Sequence, residues 1–339
     1  MKKELPIVEW LRGLAALSVC LFHWTGGNLE FHGSSALFES VAKYGWLGVE
    51  VFFVISGFII PYALHRNDYS LSLFPKFLLK RCIRIEPAYL VTILLVIALG
   101  YLSMLFPGYL GEDYSPSIAG ALLHVIYAPA YFGYEWMLPI FWTLEVELHF
   151  YILVGLIFPF LNRGRLQLFT GSAVLLALSF IVPLYLFYYI SLFVMGIGSF
   201  YFLRGVLNSF QYGIMLIASS VCCYFVSESL LIPFTALATS IVLAFADRIN
   251  VKGSFLGRIS FSLYLVHIPI GGRLINLLGR YDDSPLVVWA GLIGITVFTI
   301  FSAWVFYKVI EKPSQLLSKR IRYSRVEKST DNIPAFSAS

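Results

Sequence analysis

Residues 45–64 read GWLGVEVFFVISGFIIPYAL, twenty positions with one charged side chain, Glu50. About 20 mainly apolar residues are what a helix needs to span the hydrocarbon core of a bilayer. The run is too long for a strand, and no period-two alternation divides it into two faces. Upstream, residues 7–24 (IVEWLRGLAALSVCLFHW) repeat the pattern, with polar exceptions at Glu9, Arg12 and His23. This first run does not read as a cleavable signal peptide, because it holds Glu9 and Arg12 and lacks a small-x-small cleavage site. Downstream, apolar runs at roughly 87–106, 140–161, 166–183, 188–204, 210–227, 230–246, 255–278 and 286–307 complete the series. The reading is an all-α integral membrane protein, a bundle of about ten predicted transmembrane helices.

Composition agrees. Of 339 residues, 59% are hydrophobic and 13% charged, where a soluble domain carries about 25% charged. The net charge of +5 invites a nucleic-acid reading, but the placement of the basic residues answers it. With the N-terminus inside, 20 of the 24 Lys and Arg residues fall on the cytoplasmic side, and only Lys43, Arg273 and Arg280 fall outside. That asymmetry is the positive-inside signal. Both termini are therefore expected in the cytoplasm, and no nucleic-acid partner is expected. Residues 1–318 read as one membrane domain and 319–339 as a basic cytoplasmic tail without fixed structure. The longest outside segment, 107–139, has no Lys or Arg but carries Glu112, Asp113 and Glu135. Its apolar part, Ile118 to Pro129, is too short to span and suits a re-entrant or interfacial position. Cys20, Cys82, Cys222 and Cys223 lack CxxC spacing, so neither a disulfide nor a zinc site is expected.

Ionisable groups inside spans cost roughly 2.5–3.5 kcal/mol each on insertion scales, and by default they mark function. Arg12 and His23 are eleven residues apart, about three helical turns and roughly 16 Å along one face. The alternative is that Arg12 snorkels and His23 bonds an interfacial carbonyl. In the second span Glu50 lies near the outer end, where it could orient an imidazole such as His23, and Ser56-Gly57 lies near the middle as a candidate close helix contact. In the fourth span WTLEVELHFY (142–151) places Glu145 and His149 on one face and Glu147 with Tyr151 on another. No metal-ligand spacing appears among them. Arg81 and Arg84 are three apart before the third span; they suit a positive-inside anchor or a phosphate clamp. His267 in the ninth span and Glu311 beyond the tenth complete the set.

Six ordered segments together resemble the acyltransferase 3 family of integral membrane enzymes, over about residues 5–315. They are the Arg12-x10-His23 spacing, GVEVFFVISGF (48–58), RCIRIEPAY (81–89), WTLEVELHFY (142–151), SFSLYLVH (260–267) and EKP (311–313). The resemblance implies O-acylation of surface carbohydrate, with acetyl as the majority acyl group. It makes Arg12 and His23 the essential pair and Arg81 and Arg84 the cytoplasmic RxxR. Glu147 stands at the family carboxylate of its motif. Glu50 stands where Asp is usual, and Glu145 where a small residue is common. The extra extracytoplasmic hydrolase-like domain fused in some members is not expected here.

The expected mechanism bridges the membrane. Acetyl-CoA, a co-substrate and not a bound cofactor, enters from the cytoplasm, and Arg81, Arg84 and Arg12 hold its phosphates. Its pantetheine arm runs along the first span to His23. His23 then serves as general base on a hydroxyl of a free or lipid-linked glycan, with Glu50 orienting its ring; an acyl-histidine intermediate is the rival route. Trp142, Tyr151, Ser56, Glu147, His267 and Glu311 are assigned to substrate or structural support. The expected location is the bacterial inner membrane. A transporter or flippase of a glycan or small metabolite is the competing class.

Overall fold

The computed structural model describes residues 5–26, 36–105, 114–279, 284–321 and 323. Lys2, Lys3, Glu112, Asp113, Arg280, Arg322, Arg325 and Lys328, which figured in the charge argument, lie outside the described residues. Among the described residues there is no strand. The helices are α1 (Pro6–Leu21), α2 (Ala36–Ala42), α3 (Gly48–Arg66), α4 (Phe74–Met104), α5 (Ile118–Val125), α6 (Trp142–Leu161), α7 (Arg165–Leu178) and α8 (Tyr185–Tyr188). They continue as α9 (Ile190–Leu203), α10 (Ser209–Ser227), α11 (Leu231–Ala244), α12 (Phe255–Val266), α13 (Arg273–Leu278), α14 (Pro285–Phe306) and α15 (Lys312–Arg320).

Each expected span meets a helix, and seven stretches are long and apolar enough to cross a membrane. The helices at the fifth, sixth and eighth expected spans, α7, α9 and α11, have 14 residues each. At 1.5 Å per residue each reaches about 21 Å, short of the roughly 30 Å hydrocarbon core. Large apolar side chains such as Leu94, Leu156, Phe234 and Val297 are exposed on the outside of the bundle, whereas Glu50, Glu145, His267 and Glu311 are at most 3% exposed within it. That inversion of a soluble fold is what a hydrocarbon solvent selects.

Two helix crossings set the interior spacing. Where α3 meets α9, a Cβ on Gly57 would stand 2.2 Å from the Phe193 carbonyl oxygen, and one on Gly196 2.1 Å from that of Val54. Only glycine allows backbones so close, the small-residue packing typical of membrane helices. As a result α9 is buried along its whole inner length, from Ile190 to Tyr201. The α1–α12 crossing is similar: a Cβ on Gly257 would meet the Glu9 carbonyl oxygen at 2.0 Å. The Glu9 carboxylate also accepts the Ser254 N–H at 3.0 Å.

Two differences from the sequence reading matter for the site. Residues 74–86, which precede the expected third span at 87–106, form the first turns of α4, which runs unbroken past Pro87. The charges of Lys76, Lys80, Arg81, Arg84 and Glu86 read as loop, yet on a helix they divide between its faces. Three helices also carry a wider, π-helical turn: Phe22–Gly26, His267–Gly272 and Tyr307–Glu311. Such turns recur at functional sites. The expected domain boundary at 318/319 falls in the last turn of α15, and residues 324–339 lie outside the described residues.

Candidate active site

Two apolar clusters fill the bundle, one around α3, α6 and α9 and the other around α1, α12 and α14. Between them lies a cavity of about 180 Å³. It gathers residues far apart in the chain: Arg12 of α1, Ser56 of α3, Arg81 and Arg84 of α4, Glu147 and Tyr151 of α6, and Glu311 before α15. The i, i+3 spacing of Arg81 and Arg84 turns both toward this space once α4 is helical through them.

The carboxylates of the cavity are engaged, and its guanidinium groups are not ion-paired. Glu147 Oε1 accepts hydrogen bonds from Ser56 Oγ at 3.3 Å and from the Tyr151 hydroxyl. Glu311 accepts from the Ser262 hydroxyl at 2.5 Å, the Ser262 N–H at 3.2 Å and the Gln315 amide at 2.8 Å. Arg81 lies over the rings of Phe77 and Tyr151, 5.4 and 5.5 Å from their centroids. Among the described residues none of Arg12, Arg81 and Arg84 has a carboxylate oxygen within 4.0 Å. Their N–H groups therefore remain available to an anion, and guanidinium forks match phosphate oxygens.

The far end of the cavity is formed by Phe52 and Tyr264, whose rings pack edge-to-face at 5.8 Å. The Tyr264 hydroxyl is 2.7 Å from Thr143 Oγ1 and within 3.3 Å of the Ile140 carbonyl. Beyond Tyr264, 5.7 Å from its ring, is His267, and 5.3 Å from His267 is His23. Neither histidine lines the cavity. The Trp24 indole N–H donates to the His267 carbonyl at 2.9 Å, clipping together the two π-helical turns that carry the histidines.

Several candidate residues stand elsewhere. Glu50 makes no recorded contact with His23 among the described residues; one carboxylate oxygen is buried without a partner, and its electrostatic neighbours include Tyr188 and Tyr189. Trp142 stacks on Tyr189 at 5.3 Å, away from the cavity. Glu145 now has a physical account: the Tyr131 hydroxyl donates to it at 2.5 Å and His149 Nδ1 lies 3.7 Å away, so it ties the 130–132 turn to α6. Trp136 packs edge-on against His124 at 5.3 Å. Residues the sequence argument passed over are Tyr264, Ser262 and Trp24. All three sit inside or beside quoted motifs, and the spacing of three from Tyr264 to His267 was the available signal.

Comparison with known proteins bears on this arrangement. A family model described as an acyltransferase domain matches residues 5–308. Over 172 residues the chain is 30% identical to ORF330 of Acidianus two-tailed virus, a protein named as an acetyltransferase, covering 49% of this chain and 44% of that one. Over 163 residues it is 29% identical to the peptidoglycan O-acetyltransferase OatA of Listeria monocytogenes, covering 45% of this chain and 24% of OatA. The matched stretches thus span less than half of either relative. No solved structure matches the chain. These likenesses favour acyl transfer over transport.

Proposed function

We propose, from the premise that this chain belongs to the acyltransferase 3 family and is an acyltransferase enzyme of the membrane, that it moves an acetyl group from cytoplasmic acetyl-CoA to a carbohydrate hydroxyl. The observation that carries the proposal is the set of three guanidinium groups around one cavity, free of ion pairs among the described residues. A CoA phosphate supplies the anion they lack, and charge-assisted bonds of this kind are the strong ones. The acetyl thioester then extends past Phe52 and Tyr264 toward His23. There the hydroxyl oxygen attacks the thioester carbon, and His23 takes the hydroxyl proton. The C–S bond breaks, and the proton passes to the departing thiolate. The products are an O-acetyl ester and CoA thiol.

In this reading α7, α9 and α11 complete ten crossings of the bacterial inner membrane, packed against their neighbours, with both termini cytoplasmic. That orientation places the arginines on the CoA side. The named activity of OatA supports a glycan acceptor. The test is to incubate purified protein in detergent with radiolabelled acetyl-CoA. Saturable donor binding with release of CoA thiol is expected. A well-folded protein that binds no acetyl-CoA overturns the proposal.

A further inference from the structure

Two buried histidines, His124 and His267, are built alike at one ring nitrogen and differ at the other. His124 Nδ1 lies 2.7 Å from the Gly120 carbonyl oxygen, and His267 Nδ1 lies 2.6 Å from that of Tyr264. A carbonyl oxygen only accepts, so Nδ1 is the donor in both rings. In the neutral ring Nε2 is then left as an acceptor. In His124 that acceptor is used, by the Met137 N–H at 2.9 Å. In His267 it is buried and has no partner among the described residues, on a side chain that is 0% exposed. A buried acceptor left empty is destabilising and calls for an explanation.

The ring beside it is His23, centroid to centroid 5.3 Å at an interplanar angle of 46°. The surroundings hold the two backbone turns in place. Trp24, next to His23 in the chain, donates its indole N–H to the His267 carbonyl. Its indole also lies so close over Gly271 that a Cβ there would be 2.5 Å from the ring. The two π-helical turns are thereby fixed against each other with the imidazole centroids 5.3 Å apart.

We propose that His267 is a positioning residue for acyl transfer: its Nε2 accepts a hydrogen bond from one ring N–H of His23 and so fixes the tautomer that presents the other nitrogen's lone pair to the acceptor hydroxyl. This rests on the reading of His23 as the base, and it gives His267 the role that the sequence suggested for Glu50. A turn of the His23 ring about its side-chain bonds closes the contact. During transfer the hydroxyl proton goes to the free nitrogen of His23 and on to the CoA thiolate. His267 keeps its own proton on Nδ1 and gains none. Its lone pair also steadies the imidazolium while it exists.

Two side chains separate this role from a structural one. In His267→Asn the amide can still donate to the Tyr264 carbonyl but leaves the Nε2 position empty. In His267→Gln an amide oxygen reaches the Nε2 position while the bond to Tyr264 is lost. CoA thiol release from acetyl-CoA is expected to fall on the order of 100-fold or more in the Asn variant, with unchanged KM for the donor. The Gln variant should keep the larger share of kcat. An active Asn variant beside an inactive Gln variant assigns His267 a structural role and overturns the proposal. A second measurement does not depend on the donor. Protein labelled with ¹⁵N-histidine should show a ¹⁵N–¹⁵N coupling across the N–H···N bond between His23 and His267. If both variants are inactive this coupling decides, and its absence in the wild type overturns the proposal. Loss of acetyl-CoA binding by the wild type would defeat the donor assignment alone and leave the coupling as the test.

Discussion

The arginine cavity and the histidine pair are built on opposite principles. The cavity is open space bordered by three guanidinium groups, with Glu147 and Glu311 held back by hydroxyl and amide donors. The histidine end is pinned by Trp24 and Gly271, and Tyr264, which lines the cavity, packs against His267. A donor's phosphates need room and many N–H groups, whereas proton transfer needs one nitrogen fixed in direction. In the proposed function this difference makes binding and chemistry separable, by the roughly three helical turns between Arg12 and His23.

That separation can be broken by substitution. His23→Ala should lower acyl transfer by about 100- to 10,000-fold, the worth of a general base, while the Kd for acetyl-CoA stays within a few-fold. Equilibrium binding of radiolabelled donor checks this, and a joint loss of binding would merge the two regions into one. Next in size, Arg84→Ala should weaken donor binding by about 10- to 100-fold, from loss of charge-assisted bonds worth roughly 1.5–3 kcal/mol. Arg84→Lys should recover only part, since an ammonium cannot make the forked contact.

Gly196→Leu tests the scaffold that both regions share. With a Cβ 2.1 Å from a backbone oxygen, the α3–α9 crossing must open, and overpacking of this kind costs about 1–3 kcal/mol. The melting temperature in detergent should drop, and binding and transfer should fall together. The smallest effect concerns His124, on the short helix α5, which is not among the candidate spans. Burial lowers its pKa from the ordinary 6.5. The folded state thus favours the neutral ring, so its contribution is present above about pH 6.5 and is lost as pH falls below it. Hydrogen exchange at Met137 should quicken in that acidic range while exchange around His23 and Arg12 holds steady.

Much of this was legible in the chain. Every apolar run of 14 residues or more found a helix, because hydrocarbon admits little else. Arg12 and Glu147 stand out as charge inside apolar sequence, Arg81 and Arg84 by their spacing before the third span, and Ser56, Tyr151 and Glu311 by the segments quoted with them; the fold brings all seven to one cavity. The neighbour of His23 was not legible. Glu50 shares the outer end of an adjacent span, but among the described residues it makes no hydrogen bond with His23, and its electrostatic neighbours include Tyr188 and Tyr189. His267, 244 residues away, arrives through the α1–α12 crossing at Gly13 and Gly257, a long-range contact that no local pattern encodes. The extension of α4 was missed for a simpler reason. Five charges before Pro87 look like loop when the faces they occupy are unknown.

Glu311 carries a consequence for biogenesis. Its carboxylate is held by Ser262 of α12 and is the nearby counter-charge for Arg12 of α1 and Arg84 of α4. It is also synthesised after all of them. A nascent chain with α1 to α12 inserted already carries the three cavity arginines but lacks one of the two cavity carboxylates. The bundle is therefore electrostatically incomplete until the segment after α14 docks. Docking of Glu311 on Ser262 closes that interval.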